Sequence, residues 1–361
     1  LYGIFEKICS ITLNLKLNRI TMKKYFCKVS IFRYLLNTIK VVKAWKFRNK
    51  KLNYFPKMVA IETTNKCNFK CAFCPQSASD YFDACPKGEI DISQVEKILK
   101  IMRREGAWSS VISFTLGGEP FMHSKFEEII GLANDYGFHP EFASNFSLAT
   151  PERIDNLCSA GYFQISVDFS HNEDFFEKYR GFPGSWKNVL SNLRYLLQLT
   201  NKYPQAHVHI SDITNWGNDG RKPHLKDLLS LKQLFSDINY NKNHVVFKTR
   251  LFHNFTGFVP VKRKKSKYHL CPYAWLSVRI RWNGDCVICC RDITSRTVLG
   301  NVFKDESILK VWESAAYQEA RRLLAEKKPD LLAACGACDL PWGQDDDRWN
   351  LSYLLSSYLK K

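Results

Sequence analysis

The sequence predicts an α/β fold, a parallel sheet with helices outside it, continued by a smaller α+β domain towards the C-terminus. Three observations predict it. Strand-like and helix-like runs alternate six times after Pro56, the pattern of β–α units in series. Several helical runs carry Pro near their start or Gly just past their end. Beyond Phe252 the alternation stops, and a hairpin signal and a second group of cysteines take over.

The strand-like runs are 58–64, 111–116, 141–145, 163–169, 207–213 and 245–252. Helical patterns lie between them. The run 92–104 ends before Gly106, 125–136 ends at Gly137, and Pro151 opens a short helix closed by Gly161. The runs 186–199 and 225–235 complete the series. A basic loop at 262–267 then leads to Cys271, and the strand-like stretches 276–282 and 286–290 flank Asn283-Gly284, a strong hairpin turn. A helix-like run, 307–326, follows. The expected division is 1–57, a basic amphipathic segment; 58–255, the β–α core; and 256–361, the smaller domain.

The sequence begins with Leu1, and Met22 reads as the natural start. From there Tyr25, Phe26, Val29, Phe32, Leu35, Leu36, Ile39 and Val42 recur at helical spacing, with Lys24, Lys28, Lys40 and Lys43 towards the other side. Such a basic amphipathic helix lies on an anionic membrane surface or packs on the protein body with its basic face in water. No run of about 18 uncharged apolar residues offers a membrane span.

At 361 residues with 45% hydrophobic content, the chain is long and apolar enough for a sizeable core. Its net charge is +18, but residues 1–58 hold fourteen of the 53 Lys/Arg and one of the 35 acids. The remainder has 39 bases and 34 acids, so the body is only mildly basic, which argues against nucleic acid as its partner. Thirteen cysteines, an odd number with Cys289 and Cys290 adjacent, suit metal or cluster ligation in a reducing, cytoplasmic setting better than a disulfide framework.

Cys67-Asn68-Phe69-Lys70-Cys71-Ala72-Phe73-Cys74 follows the first strand. Three thiolates spaced four and three apart suit a loop wrapped round an iron–sulfur cubane. Three ligands for four irons leave one position open to a small molecule. A structural zinc site would want a fourth ligand, for which Cys85 is available. The second strand runs into Gly117-Gly118-Glu119-Pro120. Its glycines allow close approach to the backbone, and its carboxylate suits an ammonium group. In parallel barrels this end of the strands carries the site.

The stretch CNFKCAFC, with GGEP on the next strand, resembles the radical S-adenosylmethionine (SAM) superfamily and its CxxxCxxC signature. Phe73 fills the aromatic position before the third cysteine. The resemblance implies a partial (β/α)6 TIM-like barrel, in agreement with the six units. It implies that Cys67, Cys71 and Cys74 hold a [4Fe–4S] cluster whose open iron binds SAM. Gly117, Gly118, Glu119 and Pro120 would hold the SAM amino group. Reductive cleavage would then yield a 5′-deoxyadenosyl radical that abstracts a hydrogen atom. Ser144 and Asn145, ending the third strand, and Ser166 and Asp168, ending the fourth, read either as ribose contacts or as turn and capping residues.

Cys271, Cys289, Cys335 and Cys338 form a second set, with gaps of 18, 46 and 3 residues. By chemistry alone they suit a [4Fe–4S] cluster or zinc equally. Their surroundings, Trp282-Asn283-Gly284-Asp285, Leu299-Gly300-Asn301-Val302, Val311-Trp312 and Arg321-Arg322, are similar to the SPASM/twitch extension of radical SAM enzymes. The resemblance implies one auxiliary cluster and, through its Gly-x4-Cys step from Gly284, favours Cys289 over Cys286 and Cys290. Cys9, Cys27, Cys85 and Cys158 read as structural.

The expected activity is a two-electron oxidation of a small-molecule or peptide substrate, by alcohol dehydrogenation or side-chain modification. A flavodoxin or ferredoxin would be the reductant. His253, Asp292 and Arg250 are candidates for substrate contact. Methyl or methylthio transfer to RNA and a zinc-binding scaffold without activity are the rival readings.

Overall fold

The computed structural model describes residues 31–214, 224–250, 254–258 and 267–342. Six strands follow one another in the sheet: β1 (Met58–Ile61), β2 (Val111–Ser113), β3 (His139–Ser144), β4 (Phe163–Phe169), β5 (Ala206–Asp212) and β6 (Val245–Thr249). All five pairings among them are parallel. This is the predicted α/β core, with strands within a few residues of the predicted ones.

Alternation along β4 shows how the layers are built. Phe163, Ile165, Val167 and Phe169 are buried in the main core. Gln164, Ser166 and Asp168 take the opposite, inner face, as the period of two requires. A short helix, α1 (Tyr81–Ala84), follows the first cysteine loop, and the outer layer includes α2 (Ile92–Arg104), α3 (Phe126–Asp135), α4 (Pro151–Ser159), α5 (Glu173–Arg180), α6 (Ser185–Leu199) and α7 (Leu225–Gln233). Their ends follow local chemistry. Asp91 and Gln94 make a capping box on α2, and Thr150 caps α4 with Pro151 at its first position. Helix α5 is additional to the predicted series. Asn172 accepts from Phe175 N at its start, and Gly181 ends it in the left-handed region.

Among the described residues, the region after Phe252 builds no separate sheet. Strand β7 (Ser277–Ile280) pairs parallel with β1 over four residues, and β8 (Asp285–Val287) and β9 (Val298–Asn301) continue antiparallel. One nine-stranded sheet results, in the order β6-β5-β4-β3-β2-β1-β7-β8-β9. The single helix expected over 307–326 is two helices, α8 (Ile308–Trp312) and α9 (Ala315–Ala325). Ser314 breaks the run because its hydroxyl accepts from Tyr317 N and caps a new start.

The described part of the basic N-terminal segment packs on the body. An earlier helix, named αN (Ile31–Lys46), buries Val41 and Ala44 and donates from Trp45 Nε1 to Leu270 O at 3.2 Å. Beyond it, Tyr54 and Phe55 are buried. Tyr54 Oη donates to Trp275 O, Trp275 Nε1 to Asn49 O, and Trp108 Nε1 to Phe55 O. Residues 1–30, with Lys24, Tyr25, Phe26, Lys28 and Val29 of the expected amphipathic pattern, lie outside the described residues; the rest of that pattern falls on αN. Among the described residues no helix is long and apolar enough to cross a membrane.

Arg321, buried on α9, ties this strap to the C-terminal region. It donates to Lys50 O, Ala274 O, Trp312 O and Glu313 Oε1 at 2.7–2.9 Å. Arg321→Met strands these acceptors, and the expected loss of stability is at least about 2 kcal/mol in a urea titration.

Candidate active site

The first cysteine set follows β1, beyond its C-terminal end, whereas in the second set Cys271 precedes β7 and Cys289 follows β8. The first loop leaves β1 and is clamped by α5. Ala72 N donates to Tyr179 O at 2.9 Å, Phe69 stacks on Phe182, and Arg180 lies over the Phe69 ring. Within the loop Cys74 N and Ser77 Oγ both donate to Cys71 O. Burial pushes the Cys67 thiol up to about 12 and the Cys74 thiol up to about 11, with the charges of neighbouring loop thiolates adding to both. Burial, with the charges of Asp168 and Glu119, holds Cys71 above its usual range, against the Arg180 guanidinium. Binding iron as thiolates therefore releases protons. Phe73 is buried in the main core.

Arg180 was not visible as a site residue in the sequence. Its charge is held, against the cost of burial, by Cys71, Asp168, Cys67 and Glu119. Its Nε is buried without a hydrogen-bond partner. The signal that locates it is the helix itself, readable from the Asn172 cap and the Gly181 stop.

The loop Gly117–Pro120 is folded against the start of the cysteine loop. Glu119 N donates to Lys66 O at 2.7 Å. Gly118 has φ +70°, and a Cβ there would collide with the Thr64 and Lys66 carbonyls. A Cβ on Gly117 would stand 2.6 Å from Glu62 Oε1. Both glycines are thus required by the protein's own packing, whatever else approaches them. Glu119 is buried; its Oε1 accepts from Ser144 Oγ at 2.6 Å and Phe121 N at 3.2 Å, and its Oε2 from Asn145 N at 2.6 Å. Burial pushes its carboxyl up, against those donors. The structure therefore joins Ser144 and Asn145 to Glu119 as its supports. Pro120 opens a short 3-10 turn behind it.

Ser166 and Asp168 stand on the inner face of β4. Asp168 accepts from Arg250 Nη1 through both oxygens, at 2.9 and 2.8 Å. Asp292 accepts from Arg296 N and Thr297 N and so caps a turn. His253 lies outside the described residues.

The second set closes round one cavity. Cys271, Cys289, Cys335 and Cys338 line it, with Tyr273, Ala274, Ile288, Leu324, Ala334, Leu340 and Pro341. Cys286 and Cys290 do not line it. Cys286 is buried and turned to Gly284 O, and Cys290 is hydrogen-bonded to Tyr273. The turn between Cys335 and Cys338 is held by Asn254 Nδ2 on Ala337 O, and next to it Arg291 pairs with Asp339 at 2.9 Å. Burial pushes Cys271 up to about 12. Among the described residues no three His, Cys, Asp or Glu side chains are placed to hold a metal ion between them. The four thiols line one common space. Cys85 faces Arg281 and Ile293.

Two parts of the chain match known families. Residues 61–210 match the radical SAM superfamily, and residues 271–339 match an iron–sulfur cluster-binding domain, SPASM. An AdoMet-dependent heme synthase of Methanosarcina barkeri is 28% identical over 142 residues, 39% of this chain and 39% of that protein. The chain thus matches about two fifths of that relative's length. The antilisterial bacteriocin subtilosin biosynthesis protein AlbA of Bacillus subtilis is 23% identical over 319 residues, 79% of this chain and 67% of that one. The crystal structure of BtrN in complex with AdoMet and 2-DOIA shares the fold, with a TM-score of 0.53 at 16% identity. That match covers 80% of this chain and 94% of BtrN.

Gly118→Ala displaces the backbone on which the first loop rests. Iron analysis after anaerobic reconstitution is expected to show a loss of about four irons per chain with the second site retained. Of Cys286→Ser, Cys289→Ser and Cys290→Ser, only the second is expected to lower the iron content.

Proposed function

We propose that this chain, a radical SAM enzyme with a SPASM iron–sulfur domain behind its SAM domain, catalyses a two-electron oxidation of a small molecule or peptide. When bound, the clusters and SAM supply an electron for reductive cleavage, a 5′-deoxyadenosyl radical that takes one hydrogen atom, and an acceptor for the substrate's second electron. Loss of that electron and one proton completes the removal of two hydrogens from the substrate. In this reading residues 58–255 form the SAM barrel and 256–361 the auxiliary part.

Cys67, Cys71 and Cys74 hold the first cluster and leave one iron to SAM. Gly117, Gly118 and Glu119 bind its amino group, and Ser144, Asn145 and Pro120 keep that loop in place. Arg180, with its buried, unpartnered Nε, supplies a donor for the carboxylate. Ser166 and Asp168 face the ribose, and Phe73 packs behind the loop. Cys271, Cys289, Cys335 and Cys338 hold the auxiliary cluster.

The observation that carries the redox reading is the cavity closed by four thiols. A cluster with every iron held by protein has no position for a substrate and is suited to electron transfer. A flavodoxin or ferredoxin suits the reductant, and a reducing cytoplasm suits this many free thiols.

The test is anaerobic turnover with SAM, reduced flavodoxin and pooled cellular metabolites and peptides. The expected result is 5′-deoxyadenosine and methionine formed one-for-one with a product lighter by two hydrogens. Regeneration of SAM with no net oxidation would sink the proposal. Cys289→Ala is expected to keep SAM cleavage and lose product.

A further inference from the structure

A buried arginine ties together two of the segments that carry the second cysteine set. Arg291 stands two residues after Cys289, and Asp339 directly follows Cys338. Arg291 Nη1 donates to Asp339 Oδ1 at 2.9 Å, and both side chains are 7% exposed. Each partner is mounted on a fixed backbone. Asp292 N donates to Cys289 O at 3.2 Å and closes the turn that bears Arg291. Asn254 N donates to Asp339 Oδ2 at 3.3 Å, and Asp339 N to Asn254 Oδ1 at 3.1 Å.

The ion pair occupies only part of the guanidinium. Arg291 also donates to Cys338 Sγ, and its charge favours the thiolate of Cys271. A guanidinium carries several N–H donors in a fixed fork, so it can serve a carboxylate and a sulfur together. Elsewhere the wall of the cavity is apolar: Ile288, Leu324, Leu340 and Pro341 line it with the thiols. Thiolates round an iron–sulfur cluster make an anion, and reduction adds a further negative charge. In apolar surroundings that added charge is costly, which opposes reduction. A buried cation bonded to a ligand sulfur offsets the cost, because net charge and hydrogen bonds to the sulfurs set a cluster's potential.

We propose that Arg291 sets the reduction potential of the auxiliary cluster, raising it through its charge and its hydrogen bond to Cys338, so that the cluster can accept the substrate's electron. The inference rests on the oxidation reading and names the residue that fits its acceptor to the task. The electron accepted is the one that the substrate radical gives up with a proton. The cluster is thus reduced by one electron as the substrate is oxidised by one. Arg291 acts through Cys338, and Asp339 holds it in position.

The test is a potentiometric titration of the full chain, with both clusters reconstituted, followed by electron paramagnetic resonance. SAM binds the open iron of the first cluster, so the signal that SAM leaves unchanged is the auxiliary one. In Arg291→Gln the ratio of reduced to oxidised auxiliary cluster at a given potential is expected to fall about ten-fold, a midpoint about 59 mV lower for one electron. Arg291→Lys keeps the charge and loses the fork, and its midpoint is expected to fall by less. The midpoint of the first cluster is expected to stay as in wild type. A merely structural ion pair would lower the iron content and leave the midpoint of the remaining auxiliary cluster unmoved. A second measurement uses the wild-type protein with isotope-labelled arginine nitrogens. The reduced auxiliary cluster is expected to show a hyperfine coupling to a labelled nitrogen, and this decides the matter if Arg291→Gln loses its auxiliary iron. An iron-replete Arg291→Gln with an unchanged midpoint, or a wild-type cluster without the coupling, would overturn the proposal. Both readings are taken without substrate. A lowered midpoint in a protein that regenerates SAM on turnover leaves this inference and removes the oxidation reading; an unchanged midpoint beside a product lighter by two hydrogens does the reverse.

Discussion

The arrangement of both cysteine sets depends on one buried ion pair, Glu62 with Arg281. Their side chains are 0% and 4% exposed, and Arg281 Nε meets Glu62 Oε2 at 3.0 Å. Glu62 follows β1 and Arg281 follows β7, so the pair closes the parallel junction between the six-stranded core and the C-terminal hairpin. Glu62 Oε1 also accepts from Gly117 N. Arg281 Nη1 donates to Ile293 O and Ser295 Oγ in the loop after Cys290. Gly117, the strand before the first cysteines and the loop beyond the second set thus share one anchor. Loss of either partner would strand a buried charge, a cost of about 3–5 kcal/mol.

The anchor joins the surroundings of the two cysteine sets although Cys74 and Cys271 are 197 positions apart in the chain. A separate auxiliary domain on a linker would leave their relation free. Here β7 continues the sheet that carries the first loop, and the strap from αN to Phe55 crosses to Leu270 and Trp275. The strongly basic N-terminal segment that looked like an appendage is, over its described part, a piece of this fastening.

How much of this was legible in the sequence follows from the range of the interactions. The β–α series, the two cysteine sets and the Gly-Gly-Glu-Pro loop are local signals, and they were readable. So was Cys289, through its distance from Gly284. Helix α5 carried readable caps in Asn172 and Gly181, yet its eight residues are too few for a strong periodic signal. The break at Ser314 was likewise a cap hidden inside an apolar run. Glu62 with Arg281 was beyond reach, because strand order and register decide that partnership and neither leaves a local mark. The glycines at 117 and 118 were found for an incomplete reason: their space is taken by Glu62 and by the Thr64 and Lys66 carbonyls.

The claim at the centre of this account is that the four C-terminal cysteines hold an iron–sulfur cluster of their own. Iron per chain in the Cys67/Cys71/Cys74→Ala triple variant, reconstituted anaerobically, tests it most directly. The account predicts about four irons retained in a folded variant. A folded variant with none, beside a wild type with about four, would contradict it and leave the second cavity to zinc or to no metal at all.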